Sequence, residues 1–370
     1  MEEPGAVDLD ELRRQIDSCD EQLVRLINER ARIALKVGAL KSQTGEPVYA
    51  PHREQQVYER VTALNRGPLS ERTIRAIYRE IMSGTIALEA PTRVSYLGPP
   101  GTFSYMAALQ KFGASIEYHA AREIRDVFLA VSREHADYGI VPIENSTEGS
   151  VTQTTDMFMT TDLSICSEAY VEIHQNLLAK GQLDQIRQIA SHPQPLAQCR
   201  EWLNANLAHA EVIETVSTAA AAQLAASDPT VAAIASEAAA TIYDLHVLEP
   251  CIEDRADNVT RFVVLAHSFG KPTGQDRTSI MFSVPHRAGS LADALQACKD
   301  HGINLTRIES RPARKRAWEY SFFIDLEGHA EDPQVARGLE ALRHRTHDLV
   351  VLGSYPRAER IRPVPREASS

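Results

Sequence analysis

No two of the five cysteines (Cys19, Cys166, Cys199, Cys251, Cys298) form a C-x-x-C pair; they are scattered singly along 370 residues. Neither a disulfide framework nor a zinc ribbon is therefore expected, and a reducing cytoplasm fits. No apolar run approaches membrane-spanning length, and the opening MEEPGAVDLDEL is acidic where an export signal is basic and then apolar. Basic charge is not in excess either: 39 Lys and Arg face 50 Asp and Glu, a net charge of −11. That balance argues against general nucleic-acid binding and against adsorption to an anionic membrane. Nucleotide fingerprints are missing too. The stretch GPPGTFS (98–104) follows the apolar run VSYL, yet it has neither the lysine of G-x-x-x-x-G-K-[ST] nor the spacing of G-x-G-x-x-G. It supplies a tight turn with Thr102 and Ser104 at the head of an expected helix. Free N–H groups and hydroxyls there suit a carboxylate, and either residue also serves simply as an N-cap.

What is present is enough apolar residue, 43%, for two or three cores. From Leu9 to about Lys41, apolar residues step by alternating three and four, the seam of one long helix. Arg30 interrupts that seam. A buried guanidinium needs a partner, either an acidic side chain or an anionic ligand. Lys41, eleven positions on, returns to nearly the same face roughly 16 Å further along. A second helix is expected through Arg53-Glu54-Gln55-Gln56-Val57 and a third over 71–89. Three helices so unequal in length leave the seam uncovered, which points to a dimer in which the long helices pair.

From Thr92 the pattern changes to short apolar runs followed by polar turns and helix-like segments: RVSYLGPPGTFS, YGIVPIENSTEGS, IRQIASHPQ, EVIETVST and VAAIASE. This is α/β order, with Ser and Thr recurring where strands feed helices. The Ala-rich stretch 219–240 reads as packed helix and strand. Beyond the linker HSFGKPTGQDR, the segments TSIMFSV, SLADALQACKDHG, INLTRIES, WEYSFFIDL, PQVARGLEALRHR and LVVLGSY give the order β-α-β-β-α-β, a ferredoxin-like module. The basic run RPARKR reads as a solvated hairpin, and the tail PRAERIRPVPREASS reads as disordered.

Taken in order, LRRQIDSCDEQLVRLINER, VGALK, HREQQV, GPPGTFS, VPIENSTEGSV, SHPQPLAQC, DNVTRF and ESRP resemble the bifunctional chorismate mutase/prephenate dehydratase family of bacterial phenylalanine synthesis. The resemblance implies an all-helical mutase dimer over 1–90, a two-lobed α/β dehydratase like periplasmic binding proteins over 92–270, an ACT regulatory domain over 277–357 and a tail over 358–370. It implies chorismate, prephenate and L-phenylalanine as small-molecule partners, no cofactor or metal, no nucleic acid or membrane, and a homodimer, with a higher oligomer left open.

The mutase reaction is pericyclic and needs no nucleophile; its site must hold a dianion in a compact conformer and stabilise charge developing on the ether oxygen. By resemblance Arg30, Lys41 and Glu89 are catalytic. Arg13 reaches into the partner subunit's site, Arg53 binds the second carboxylate, Glu54 holds the substrate hydroxyl, and Thr85 shares a face with Glu89. Many described members carry Ser and Gln in place of Thr85 and Glu89, and Asp in place of Ala50. The dehydratase step expels hydroxide and carbon dioxide together, so a donor at the leaving hydroxyl is the main need. Thr260 is expected in that role, with Glu144 and His192 as alternative proton sources. Thr102, Ser104, Asn145, Ser191, Gln198, Ser217, Thr218, Arg261 and Phe262 are placed at or near the cleft, and Arg261 equally suits a salt bridge at an interface. Phenylalanine is expected at Gly289-Ser290-Leu291, where the family shows G-A-L, and at Asn304, Leu305, Glu309, Ser310 and Arg311. A mutase fused to a dehydrogenase would require a dinucleotide fingerprint. A ligand-sensing regulator would require a short helix-turn-helix at the N-terminus, where the sequence has a long seam containing Arg30.

Overall fold

The computed structural model describes residues 8–44, 47–312 and 320–359. Residues 313–319, which hold most of the basic run, and 360–370, most of the tail, lie outside the described residues. Asp10 and Glu11 in the first turn and Lys41 in the last complement the helix dipole of α1 (Leu9–Thr44), which contains no proline. α2 (Pro51–Leu64) opens with proline at a position that needs no N–H, and α3 (Glu71–Glu89) opens on Ser70, whose side chain accepts from the Thr73 N–H. The seam of α1 is uncovered: Ile16, Leu23, Leu26, Ile33 and Leu40 are each more than half exposed.

The next unit has two lobes. The first holds β1 (Arg93–Leu97), α4 (Phe103–Phe112), β2 (Glu117–Ala121), α5 (Ile124–Ser132), β3 (Tyr138–Asn145), β4 (Gly149–Ser150), α6 (Thr152–Phe158) and β5 (Ser164–Glu172). The second holds β6 (Asn176–Ala179), β7 (Gln188–Ser191), α7 (Pro193–Gln198), α8 (Arg200–Asn206), β8 (Glu211–Glu214), α9 (Thr218–Ser227), β9 (Val231–Ala235), α10 (Glu237–Tyr243) and β10 (His246–Glu249). The chain then returns to the first lobe as β11 (Val259–Ala266). The sheets run β2-β1-β3-β11-β5, with β4 beside β3, and β10-β6-β9-β7-β8. Two crossovers therefore join the lobes, one leaving β5 and one entering β11. The Ala-rich stretch is α9, β9 and α10, packed by Ala221, Ala222, Ala233 and Ala239.

The C-terminal unit is β12 (Asp276–Ser283), α11 (Ser290–Asp300), β13 (Leu305–Pro312), β14 (Tyr320–Glu327), α12 (Pro333–Arg343) and β15 (His347–Pro356), with an antiparallel sheet ordered β13-β14-β12-β15. The two helices cover one face around Ile280, Phe282, Leu326 and Leu342. Phe323, Leu352 and Tyr355 on the other face join the core of the first lobe beside Ile165, Val263 and Leu265. The central strand β12 is buried along nearly its whole length, polar residues included, whereas the edge strand β13 alternates between more and less exposed positions. At the other end Tyr49, in the link before α2, is buried between Phe112 and Tyr138 of the first lobe.

Candidate functional site

In the helical unit, Arg30 Nη1 donates to Thr85 Oγ1 at 3.4 Å, and Thr85 Oγ1 donates to the Ile81 carbonyl at 2.7 Å. The threonine proton is thus committed to the α3 backbone, and its oxygen steadies the guanidinium. One turn on, Glu89 packs against α1 at Gly38, where a Cβ would lie 2.9 Å from the glutamate carboxyl. A larger residue at 38 would displace the glutamate side chain. Burial raises the Glu89 pKa above the usual carboxylate value, while the Lys41 and Arg30 charges pull it back. Lys41 Nζ donates to the Val48 and Pro47 carbonyls at 3.2 and 3.4 Å. Arg53, exposed, donates to Gln56 Oε1 at 3.0 Å. Glu54 Oε2 accepts from Tyr49 Oη and Lys111 Nζ, each at 2.9 Å. Arg30, Lys41, Arg53, Glu54, Thr85 and Glu89 all line one cavity of about 760 Å³ between the helices and the first lobe. Arg13 does not. It pairs with Asp10 at 3.3 Å near the start of α1, about 25 Å along the helix axis from Arg30.

In the two-lobed unit, Ser and Thr stand where strands deliver the chain to helices. Thr102 caps α4 and also donates to the Leu97 carbonyl at 3.0 Å; Ser217 caps α9, which begins with Thr218. Ser104 is buried in the first turn of α4. Ser236, absent from the sequence-derived set, caps α10 and donates to the Gly101 carbonyl at 2.6 Å, joining the lobes across the cleft. Gly101 has φ +87°, and a Cβ there would sit 3.2 Å from the Ala239 backbone. The strand-Ser-helix pattern of VAAIASE, the same as at the other turns, was the signal for Ser236. Asn145 and Thr260 face each other across β3 and β11: Asn145 Nδ2 donates to Thr260 Oγ1 at 2.8 Å and to Asn258 Oδ1 at 2.7 Å.

Several expected residues are held by contacts within their own unit. Ser191 is fully buried and its hydroxyl donates to the Ile234 carbonyl at 2.7 Å, inside the sheet. His192 accepts from the Gln194 N–H as the cap of α7. Gln198 Oε1 accepts from Gln175 Nε2 at 3.2 Å, next to the crossover. Phe262 is a core residue beside Val94 and Tyr96. Arg261 corrects the expectation of a cleft residue, because neighbours in a strand point to opposite faces and Thr260 takes the other one. Its guanidinium donates to Glu168 Oε2 at 2.8 Å, to Asp325 Oδ2 at 2.6 Å and to Tyr355 Oη at 2.9 Å. Arg277 donates to the same Glu168 oxygen, and Ser279 donates to Asp325 Oδ1 at 2.6 Å. This buried cluster ties β5 and β11 to the C-terminal sheet. Burial alone would lower the Arg261 pKa, but the Asp325, Tyr355 and Glu168 charges raise it well above its ordinary value. Burial likewise raises and Arg261 lowers the Asp325 pKa, with a net lowering. Glu144, paired with Arg261 in register, lies on the same side, 3.6 Å from Arg261 Nη1.

In the C-terminal unit a cavity of about 410 Å³ is lined by His286, Gly289, Ser290, Leu291, Tyr320 and Phe322, among others. Ser310 on β13 lies opposite Phe322 in the ladder. Asn304 is exposed, and Leu305 packs against the helix-side core. Glu309 and Arg311 turn to the other face, where Glu309 accepts from Arg307 and Arg311 pairs with Asp156 of α6 at 3.1 Å. Their side chains are therefore part of the joint with the first lobe, a correction to their placement in a ligand site. Among the described residues, His174, Cys251 and Glu253 are near enough to one another to hold a metal ion. Here His174 Nδ1 lies 3.0 Å from Glu253 Oε1, linking the two crossovers between the lobes.

Comparison with known proteins matches residues 12–90 to the model of chorismate mutase type II, residues 94–269 to prephenate dehydratase and residues 278–344 to the ACT domain. The chain is 46% identical over 356 residues to the bifunctional chorismate mutase/prephenate dehydratase of Aquifex aeolicus, spanning 95% of this chain and 98% of that one. It is 45% identical over 350 residues to the protein of that name from Neisseria gonorrhoeae, 94% of this chain and 96% of the other. The solved prephenate dehydratase of Arthrobacter aurescens in complex with L-Phe superposes with a TM-score of 0.67 at 36% identity, over 72% of this chain and 90% of that one.

Proposed function

The chain belongs to the family of bifunctional chorismate mutase/prephenate dehydratases, and from that premise we propose how its residues divide the two reactions. The enzyme rearranges chorismate to prephenate and then converts prephenate to phenylpyruvate, carbon dioxide and water. The rearrangement belongs to the 760 Å³ cavity, whose expected residues converge from three helices. Arg30 and Lys41 hold the dianion and face the charge that grows on the ether oxygen, Arg53 takes the second carboxylate and Glu54 accepts from the substrate hydroxyl. Glu89 donates to the ether oxygen as a protonated acid, a state that its raised pKa favours. Thr85 positions Arg30. The cavity of each copy is completed by Arg13 of a second copy, delivered when two α1 seams pair. The exposed seam and the remoteness of Arg13 from its own cavity support this dimer.

Dehydration belongs to the cleft between the lobes, with Thr260 as the donor that polarises the departing hydroxyl and Asn145 as its orienting partner. The helix N-termini at Thr102 and Ser217-Thr218 offer N–H groups to carboxylates, and His192 stands at a third. The cavity at Gly289-Ser290-Leu291 is the site for L-phenylalanine, the ligand named for the Arthrobacter protein. No helix among the described residues is long and apolar enough to cross a membrane, and singly placed cysteines suit work in the cytoplasm. The test is to supply purified protein with chorismate alone. Phenylpyruvate should form without any added cofactor, and L-phenylalanine should slow it. No phenylpyruvate from chorismate would overturn the reading.

A further inference from the structure

Glu54 is held from two domains at once. Tyr49 Oη, in the link before α2, and Lys111 Nζ, in the last turn of α4, both donate to Glu54 Oε2 at 2.9 Å. Tyr58, one turn along α2, lies beside the same carboxylate, whose charge adds to burial in raising the phenol pKa. The pair is mostly shielded from water, with side-chain exposures of 18% for Lys111 and 12% for Glu54. The ammonium also lies 5.8 Å from the centre of the Tyr49 ring, which is wedged against Phe112 and Tyr138 at 5.0 and 5.3 Å. Lys111 and Tyr138 line the same cavity as Arg30, Lys41 and Glu89. A carboxylate anchored in this way cannot swing. Whatever lone pair it presents to the cavity is presented in one direction.

We propose that Lys111, a residue of the dehydratase half, is a positioning residue for the mutase reaction: it locks Glu54 in the orientation that receives the substrate hydroxyl. This rests on the assignment of Glu54 to that hydroxyl. The geometry makes the first reaction depend on a side chain borrowed from the domain of the second, since a carboxylate left free to swing must be ordered at the moment of binding and holds the substrate hydroxyl less well. It also gives the two halves a physical coupling at the mutase site, through one ion pair and Tyr49, beside the packing of α3 against the first lobe.

The test uses the full chain and four variants: Lys111→Met, Lys111→Arg, Glu54→Gln and the Lys111→Met/Glu54→Gln double. Mutase kcat and KM are measured with chorismate, and dehydration is measured with supplied prephenate. Lys111→Met should lower mutase kcat/KM by about tenfold, chiefly through KM, because the hydroxyl is bound alike in ground and transition states. Lys111→Arg should restore most of it. Dehydration of supplied prephenate should stay within about twofold of the wild type, and Lys111→Met should add nothing on the Glu54→Gln background, the mark of a residue acting through another. Unchanged or higher mutase kcat/KM in Lys111→Met, with Glu54→Gln impaired, would overturn the role of Lys111 and leave that of Glu54 standing. Additive losses, or an equal loss of dehydration, would overturn it as well. Wild-type mutase kinetics in Glu54→Gln would instead remove the assignment of Glu54, and the positioning role with it.

Discussion

Asn145 Nδ2 donates to Thr260 Oγ1 across 2.8 Å, and the orientation of that amide is fixed from its other end, where the backbone N–H groups of Thr147 and Glu148 donate to Asn145 Oδ1 at 3.0 and 3.1 Å. The Thr260 oxygen is therefore an acceptor in this pair, and its own proton is left to be given away. An unaided threonine is a feeble acid, so the role proposed for Thr260 is that of a placed donor.

Thr260→Ala should lower kcat/KM for prephenate by about two orders of magnitude, the range for removing one donor at a site of developing charge. Thr260→Ser should keep most of the activity. Asn145→Asp puts an acceptor where Thr260 needs a donor, and turns the threonine proton inward. It should cost dehydration about as much as Thr260→Ala, with mutase kinetics unchanged. Assay on supplied prephenate checks both; an active Asn145→Asp protein would mean that Thr260 needs no orienting partner.

As the donor proposed for the ether oxygen, Glu89 should set the pH dependence of the rearrangement. Burial raises its pKa despite Lys41 and Arg30, so the acid form, the one that can donate, persists above the ordinary carboxylate range. As pH rises through that raised value the proton is lost, and a carboxylate then repels the charge forming on the ether oxygen. Mutase activity should fall with a slope of one proton, and dehydration should not follow the same curve. Glu89→Gln, whose amide donates at any pH, should remove this limb and retain substantial activity. Identical profiles for the two proteins would exclude Glu89 as the donor.

The Arg261 cluster predicts how the regulatory module speaks to the cleft. Arg261 is the immediate neighbour of Thr260 on β11, and its guanidinium is shared with Asp325 and Tyr355 of the C-terminal sheet. L-phenylalanine should therefore inhibit dehydration more than rearrangement. Arg261→Met leaves Glu168 and Asp325 short of a counter-charge and should cost about 3–5 kcal/mol of stability. Asp325→Asn keeps the shape and should weaken inhibition by L-phenylalanine with less damage to folding. Because the Asp325 pKa is lowered in the folded protein, its contribution to stability is complete above the unfolded value of about 3.9 and is lost as pH falls through the folded value. The Asn variant should lack that acid-side loss. Equal inhibition of the two reactions, or none, would contradict this coupling.

Much of the fold was written in local pattern. The three-and-four stepping of α1, the Ser and Thr caps after strands and the β-α-β-β-α-β order of the C-terminal unit each need only neighbouring residues, and the structure shows each. Arg30 announced itself as a cation in an apolar seam. What could not be read was direction. Thr260 and Arg261 are adjacent letters, and only the sheet assigns one to Asn145 and the other to Asp325, 64 residues away. Glu309 and Arg311 likewise look like ligand residues beside Ser310, until the ladder places them on the opposite face. Lys111 carries no local signal; it reaches Glu54 only because α4 ends beside α2.

The division of labour between two sites is tested most directly by following both reactions in Arg30→Ala and Thr260→Ala. Arg30→Ala should lose several kcal/mol of mutase transition-state stabilisation while converting supplied prephenate at nearly the wild-type rate. Thr260→Ala, given chorismate, should accumulate prephenate. Loss of both activities in either folded variant would contradict the account.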